Sequence, residues 1–397
     1  MSGPQRNSYD VVIVGGAMMG AAVAHFLSAH PGFDGRILVV ERDPGYGQCS
    51  TAHSNSCMRL QFSSEINIRI SQFAVDYVRH FRDHIGDAQA PEIHTHPFGY
   101  LYLAATEAAA GRLRANHRLQ AALGAGTVLM SPEELAREFP FFNLEGIVLG
   151  SLGTRDEGYF DGNTIFDWWR RMARRRGVEF HHGEVTGLVR RGNRVEAAVL
   201  ADGTRVGCGH VVNAAGPRAA RVAAMAGLDL PVEPRRRYTF VFRAQDPLPR
   251  DLPLTVDPLG FHVRTDGANY MLGGAPQEDT AVAPDDFHLE PDIWQERFWP
   301  LLASRIPAFE AVKLISAWVG HYAYNRLDQN AIVGPHPEVE NFIFVNGFSG
   351  HGLQQAPAMG RGVAELIAEG SYRTLDLSPL GYERVTAGRP LPEAEII

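Results

Sequence analysis

The chain has 397 residues, 45% of them hydrophobic and 21% charged, with a net charge of −8; this suits about two globular domains and argues against a general nucleic-acid binder. No apolar run approaches the ~20 residues of a membrane span, and Met1–Ser8 is polar without an apolar signal core, so a cytoplasmic location is the expectation. Three cysteines, Cys49, Cys57 and Cys208, with no C-x-x-C pair among them, indicate neither a disulfide framework nor a zinc site, and no metal is expected.

The first predicted element is Val11–Val14, a β-branched run without a polar residue, as in a parallel strand buried on both faces. It breaks into Gly15-Gly16-Ala17-Met18-Met19-Gly20 and then an Ala-rich helical pattern from Ala21 to His30. Gly15 and Gly20 stand at the first and last glycines of the G-x-G-x-x-G fingerprint, with Ala17 in place of the middle one, so the helix N-terminus suits a pyrophosphate. A second apolar strand, Ile37–Val40, ends in Glu41, about twenty residues past the last glycine, where a carboxylate accepts the ribose hydroxyls of an adenine dinucleotide. Arg42 is the group that would rescue a 2′-phosphate there.

From Arg42 to Leu60 the chain is a loop dense in small polar residues, suited to hydrogen bonding. A helical pattern over Ser64–Phe81, a strand at Phe98–Leu103, a helix over Thr106–Leu123 and a capping box at Ser131-Pro-Glu-Glu134 follow. The helix Thr164–Arg176 sets Arg170, Arg171 and Arg174–Arg176 opposite Ile165, Phe166, Trp169, Met172 and Ala173, which makes the basic run a solvated face. Short strands at Val178–Phe180, Val185–Arg190, Arg194–Leu200 and Thr204–Cys208 read as an antiparallel meander, and His210–Asn213 as a further buried strand ending in small residues. His181 and His182 are neighbours on a strand and point to opposite faces, so they make no metal pair. Residues 232–319 are strand-rich and mix aromatics with arginines; the last part repeats strand, Gly-rich turn and helix, with Asn341–Val345, Gly347–Gly352 and Pro357–Glu369. No low-complexity linker divides the chain, so the two domains are expected to interleave.

The fingerprint with Glu41, the stretch Val211-Val-Asn-Ala-Ala-Gly216 and the turn Gly347-Phe-Ser-Gly-His-Gly352 together resemble the D-amino-acid-oxidase-like FAD-dependent oxidoreductases, over nearly the whole chain. That family includes sarcosine and glycine oxidases and dimethylglycine dehydrogenase. Within it, Ser50-Thr51, Arg59–Ser63 and Gly350–Pro357 look most like the subgroup of the mitochondrial FAD-dependent oxidoreductase-domain protein. The resemblance implies an α/β fold: a Rossmann-like FAD-binding domain (1–90, 151–230 and 325–397) interleaved with an antiparallel-sheet α+β substrate domain (91–150 and 231–324). FAD is the implied cofactor, held by Gly15, Gly16, Ala17, Met18, Met19, Gly20, Glu41, Arg42, Ser50, Thr51, His53, Val185, Ala215, Gly216, Ser349, Gly350, His351, Gly352, Leu353 and Gln354. The amides of Ser349–Leu353 would then face the flavin N1–C2=O edge, where positive potential stabilises the anionic reduced ring.

Three positions depart from sarcosine oxidases. His321 stands where their flavin-linking cysteine does, Gln354 stands where a lysine pairs with the substrate carboxylate, and Lys313, the only lysine, falls off the strand of their oxygen-activating lysine. The electron acceptor is therefore either O2 or, as a serious competitor, an electron carrier. Thr51-Ala-His53 resembles the Thr-x-His stretch that binds flavin covalently in dimethylglycine dehydrogenase-like proteins; here the expectation is non-covalent FAD touched by His53. Arg59, Arg237 and Arg264 are the cationic candidates for a substrate carboxylate, with Tyr238, His262, His321, Tyr322 and Tyr324 as walls; Arg264 resembles a carboxylate-binding arginine of some relatives. The resulting expectation is oxidation of the C–N bond of a secondary or N-alkylated amino acid or amine by hydride transfer to FAD, the imine being hydrolysed by water. Arg59, Tyr238, His262, Arg264, His321 and Tyr322 carry it. The alternatives are a 2-hydroxy-acid dehydrogenase, with His262 or His321 as base, and a flavin-bound assembly or scaffold protein.

Overall fold

The computed structural model describes residues 3–393; residues 1–2 and 394–397, the extremes of the expected FAD-binding portion, lie outside the described residues. The strand Ser8–Val14 lies between Ile37–Glu41 and Arg205–Asn213, parallel to both. Glu179–His182 extends this parallel sheet on one side and Val339–Asn346 on the other, and antiparallel Ile332–His336 closes that edge. Successive side chains of the first strand point to opposite faces, and both faces are covered. Val11 and Ile13 pack under the helices Met18–Ala29, Gly162–Arg175 and Gly352–Glu369, while Val12 and Val14 pack under the hairpin Val185–Leu200 and the short helix Ala219–Met225.

Three local expectations are corrected. Glu179–His182 joins the parallel sheet beside Ile37–Glu41 and not the meander, because it follows a crossover helix rather than a tight turn. Residues 205–213 form one continuous strand: Gly207 and Gly209 sit where the first strand approaches closely, and a Cβ on Gly209 would stand 2.6 Å from the Asp10 carbonyl oxygen. The C-terminal helix starts at Gly352, so Pro357 lies inside it instead of opening it.

The second sheet runs in the order Val312–Asn325, Val232–Ala244, Asn269–Gly274, Phe261–Asp266, Leu254–Asp257, Tyr100–Ala104, Leu149–Gly153, Thr127–Met130. All its pairings are antiparallel except that of Leu254–Asp257 with Tyr100–Ala104. Its two longest strands, Val232–Ala244 and Val312–Asn325, pair from Val232↔Asn325 to Ala244↔Val312. The Asn325 end reaches the first sheet's loops, where Asn325 donates its backbone N–H to Ser349 Oγ at 3.0 Å. The mouths of the two sheets thus face each other, and among the described residues no helix is long and apolar enough to cross a membrane.

Candidate active site

A cleft with about 1920 Å³ of empty space, counting its open mouth, runs from the fingerprint turn to the second sheet. At its first end Gly15 turns with φ +99°, and a Cβ there would stand 2.5 Å from the Ala214 carbonyl oxygen, so the turn requires glycine. Ala17 has φ −69° and ψ −163°, an ordinary extended conformation, which is why alanine is accommodated. A Cβ on Gly20 would stand 1.9 Å from the Gly15 carbonyl oxygen, which sets how closely the helix abuts the turn. The helix Met18–Ala29 has no side-chain cap and no acid in its first turn; only Met18 N–H reaches a side chain, Thr51 Oγ1 at 3.3 Å. Glu41 accepts the N–H groups of Gly16 and Asp43, each at 2.8 Å.

At the other end Ser349 has φ +47° and Gly350 φ +100°, and a Cβ on Gly350 would meet Tyr322 Cζ at 2.5 Å. The helix Gly352–Glu369 again lacks a side-chain N-cap. Two helix N-termini without a side-chain N-cap, both opening on one cleft beside tight glycine turns, fit the pyrophosphate and the flavin carbonyl edge of FAD. Arg42, Ser50, Val185, Ala215 and Gly216 complete that wall.

A small side pocket opens off the cleft past Tyr100, Tyr322 and Gly350, and contains Arg59, His351 and Gln354. Arg59 is 1% exposed. Its guanidinium donates to Tyr102 Oη and, at 2.9 Å, to His351 Nε2, and lies 4.3 Å from the Phe62 ring centre. Gln354 grips the backbone of Arg59: its Oε1 accepts the Arg59 N–H at 2.9 Å, and its Nε2 donates to the Arg59 carbonyl at 3.5 Å and to Ser71 Oγ at 3.2 Å. Burial, reinforced by Arg59, holds His351 well below the usual histidine range, so this imidazole accepts from Arg59 and carries its proton on Nδ1. Burial also raises the phenols of Tyr100 and Tyr322, which keeps both protonated as donors.

Two histidines of the cleft, His262 and His321, are held neutral by burial. Burial lowers His262 to about 3, with Arg264, Arg237 and Arg59 adding to the effect, and its Nε2 accepts Asn55 Nδ2 at 2.6 Å. His321 is lowered mainly by burial and donates Nε2–H to the Asp286 carbonyl at 2.7 Å. His53 donates Nδ1–H to the Cys49 carbonyl at 3.0 Å. The Phe287 ring stacks 5.7 Å from His53 and 4.4 Å from His321, so the irregular segment 275–292 covers this wall. That segment also supplies Asp285 to Arg42 and Arg218, Asp279 to Arg235 and Arg237, and Glu290 to the Tyr238 hydroxyl at 2.6 Å.

Most sequence-predicted residues converge on the cleft; the exceptions have physical reasons. Gly16 and Gly20 serve packing of the turn, while Arg59, His351 and Gln354 line the side pocket. Arg264 is off the cavity wall: it donates to the Thr265 carbonyl, to Asp266 at 3.0 Å and to the Asn55 carbonyl at 3.0 Å, supporting the Asn55–His262 pair from behind. Tyr324 is off it too, its ring stacked 3.8 Å beneath Arg235. Residues not anticipated are Asn55, Tyr100, Arg218 and the acidic segment 275–292. Only Tyr100 carried a signal, the period-two alternation of Tyr100 and Tyr102 beside Arg59.

Residues 10–366 match the DAO family, described as FAD dependent oxidoreductase. The chain is 38% identical to FAD-dependent oxidoreductase domain-containing protein 1 of Xenopus laevis over 98% of its own length and 85% of that protein's. Among solved structures it resembles L-proline dehydrogenase from P. horikoshii (TM-score 0.83, 24% identity, 97% of this chain and 99% of that one). It also resembles glycine oxidase from Geobacillus kaustophilus (TM-score 0.79, 21% identity, 95% and 98%). The family match and the relative at 38% identity agree with the geometry of the cleft, and the chain belongs to the DAO family of FAD-dependent oxidoreductases.

Proposed function

We propose that the protein oxidises the C–N bond of a secondary or N-alkylated amino acid, the resulting imine being hydrolysed by water. The observation that carries this reading is the buried Arg59 in a side pocket that opens on the flavin end of the cleft. There Arg59, with the protonated phenols of Tyr100 and Tyr322, offers a site for the substrate carboxylate, and Gln354 fixes the arginine's backbone. Bound FAD supplies the hydride acceptor. Anchoring the carboxylate in the side pocket orients the substrate's C–N bond toward the cleft, and Phe287, packed over His53 and His321, excludes water from that wall. Names of structural relatives, a proline dehydrogenase and a glycine oxidase, support an amino-acid substrate.

The lowered basicity of His262 and His321 favours an amine over a 2-hydroxy acid. A hydroxyl requires a base as it is oxidised, whereas His262 is depressed to about 3 with its Nε2 occupied by Asn55, and His321 is lowered as well. An uncharged amine requires no such group. The test is an anaerobic screen of flavin bleaching with N-methylglycine, N,N-dimethylglycine, proline and 2-hydroxy acids. Bleaching by one of the amino acids is expected. Bleaching by hydroxy acids alone would reverse the assignment, and bleaching by none would favour a scaffold role.

A further inference from the structure

A second guanidinium faces the same cleft. Arg237 lines it from the strand Val232–Ala244, with its guanidinium carbon 4.5 Å from the ring centre of Tyr322. Tyr322 is also a wall of the Arg59 side pocket, so one phenol ring stands between two cationic groups. Arg237 already holds a carboxylate in fork geometry: Nη1 donates to Asp279 Oδ1 at 2.8 Å and Nη2 to Oδ2 at 3.0 Å. The position is therefore sterically and electrostatically able to seat a carboxylate.

Asp279 does not belong to Arg237 alone. Arg235 reaches the same carboxylate at 3.4 Å while also donating to Glu233, and Glu233 pairs further with Arg326 at 3.3 Å. Three guanidiniums thus share two carboxylates, the third, Arg326, standing largely exposed outside the cleft lining. Asp279 also sits in the segment 275–292, which has no strand or helix to hold it in place. If it left Arg237 it would keep Arg235, so an incoming carboxylate would orphan no charge.

We propose, resting on the amino-acid reading above, that the substrate carries a second carboxylate, on its side chain or its N-substituent. Arg59 takes one carboxylate and Arg237 the other, with Asp279 as the internal carboxylate that the substrate replaces. Arg237 is then the residue that separates dicarboxylic from monocarboxylic amino acids.

Two unreactive probes test this on the FAD-loaded full chain: methylthioacetate, with one carboxylate, and thiodiacetate, with two, each bearing sulfur in place of the amine. Binding is read as perturbation of the flavin's visible spectrum and as a shift in thermal melting. Thiodiacetate should bind roughly tenfold tighter or more. In Arg237→Gln the ratio of the two dissociation constants should fall to near one, and in Asp279→Asn, where the competitor's charge is gone, it should widen. Equal binding of the two probes by the native protein overturns the inference while leaving the amino-acid reading intact, as does a preference that survives Arg237→Gln. A ratio that narrows in Asp279→Asn also overturns it, and this variant serves if Arg237→Gln does not fold. Failure of both probes to bind overturns the amino-acid reading and the inference together.

Discussion

Replacing Glu41 by Gln separates what the carboxylate does for the protein from what it does for FAD. In the native structure its two oxygens accept one backbone N–H each, from Gly16 and from Asp43, both at 2.8 Å. Gln is nearly isosteric but offers one carbonyl oxygen and one NH2, so one of those N–H groups would face another donor. Bonds to a charged acceptor contribute about 1.5–3 kcal/mol each, so the protein without FAD should lose about 2 kcal/mol of stability. The flavin contribution is distinct: a ribose hydroxyl that bonded a carboxylate would bond a neutral amide, a difference of about 1–2 kcal/mol, or a roughly 5–30-fold weaker FAD dissociation constant. Thermal melting of the FAD-free protein reads the first effect, and titration of flavin fluorescence quenching reads the second. A dissociation constant within twofold of native, alongside lowered melting, would show that Glu41 only shapes the turn.

Three further outcomes are expected. Reduced protein should reoxidise more slowly in air than with an artificial acceptor, because Gln354 is neutral and the only lysine, Lys313, is exposed and off the cleft; stopped-flow reoxidation that is fast in air would refute this. His25, 2% exposed and accepting Arg176 Nη1 at Nδ1, is lowered to about 3 by burial, so its contribution to stability is fully present above pH 6.5 and is lost as pH falls toward 3, the loss already reaching about 2 kcal/mol at pH 5. Urea unfolding of native and His25→Asn protein at pH 7.5 and 5 checks this, and equal acid slopes would count against it. FAD should be released by acid precipitation, because His53 gives its Nδ1–H to the Cys49 carbonyl, Ser56 Oγ is committed to the Phe160 carbonyl, and among the described residues no base is seen to take the imidazole proton; flavin that stays in the pellet, and leaves it in His53→Ala, would prove the opposite.

The turn expected to cradle FAD was legible because its determinants are local. A β-branched run, glycines where no Cβ fits and an acid at the end of the next strand lie within residues 11–41, and their conformations follow from residue type. Pairing is not local, so Glu179–His182 looked like one arm of a hairpin until the open edge of Ile37–Glu41 claimed it. Gly207 and Gly209 resemble strand breakers, yet they admit the neighbouring backbone. The proposed substrate end was legible in the types of its residues and not in their direction. Arg59, Arg237 and Arg264 are alike in sequence, but Arg59 folds into a side pocket, Arg237 reaches the cleft and Arg264 turns back to the Asn55 carbonyl. Those directions depend on partners tens to hundreds of residues away, as with Gln354 on the Arg59 backbone.

The near-absence of lysine determines how the site can respond to pH. Every cationic side chain lining the cleft or its side pocket is a guanidinium, whose charge is fixed across the physiological range. The imidazoles of His262 and His321 are held neutral by burial, and the Tyr100 and Tyr322 phenols are held protonated. Behind Arg59, burial raises the Glu157 carboxyl to about 7 where it accepts the Leu60 N–H, but Glu157 lines neither the cleft nor its side pocket, so the substrate's own nitrogen is the expected titrating partner. Only its uncharged form can release a hydride. The pH profile of kcat/KM for an amine substrate should therefore rise with pH to a plateau set by that amine, and should move when a substrate with a less basic nitrogen is used. A profile whose midpoint stays fixed across amines of different basicity would place the titrating group in the protein, and Glu157→Gln would then be the first variant to examine.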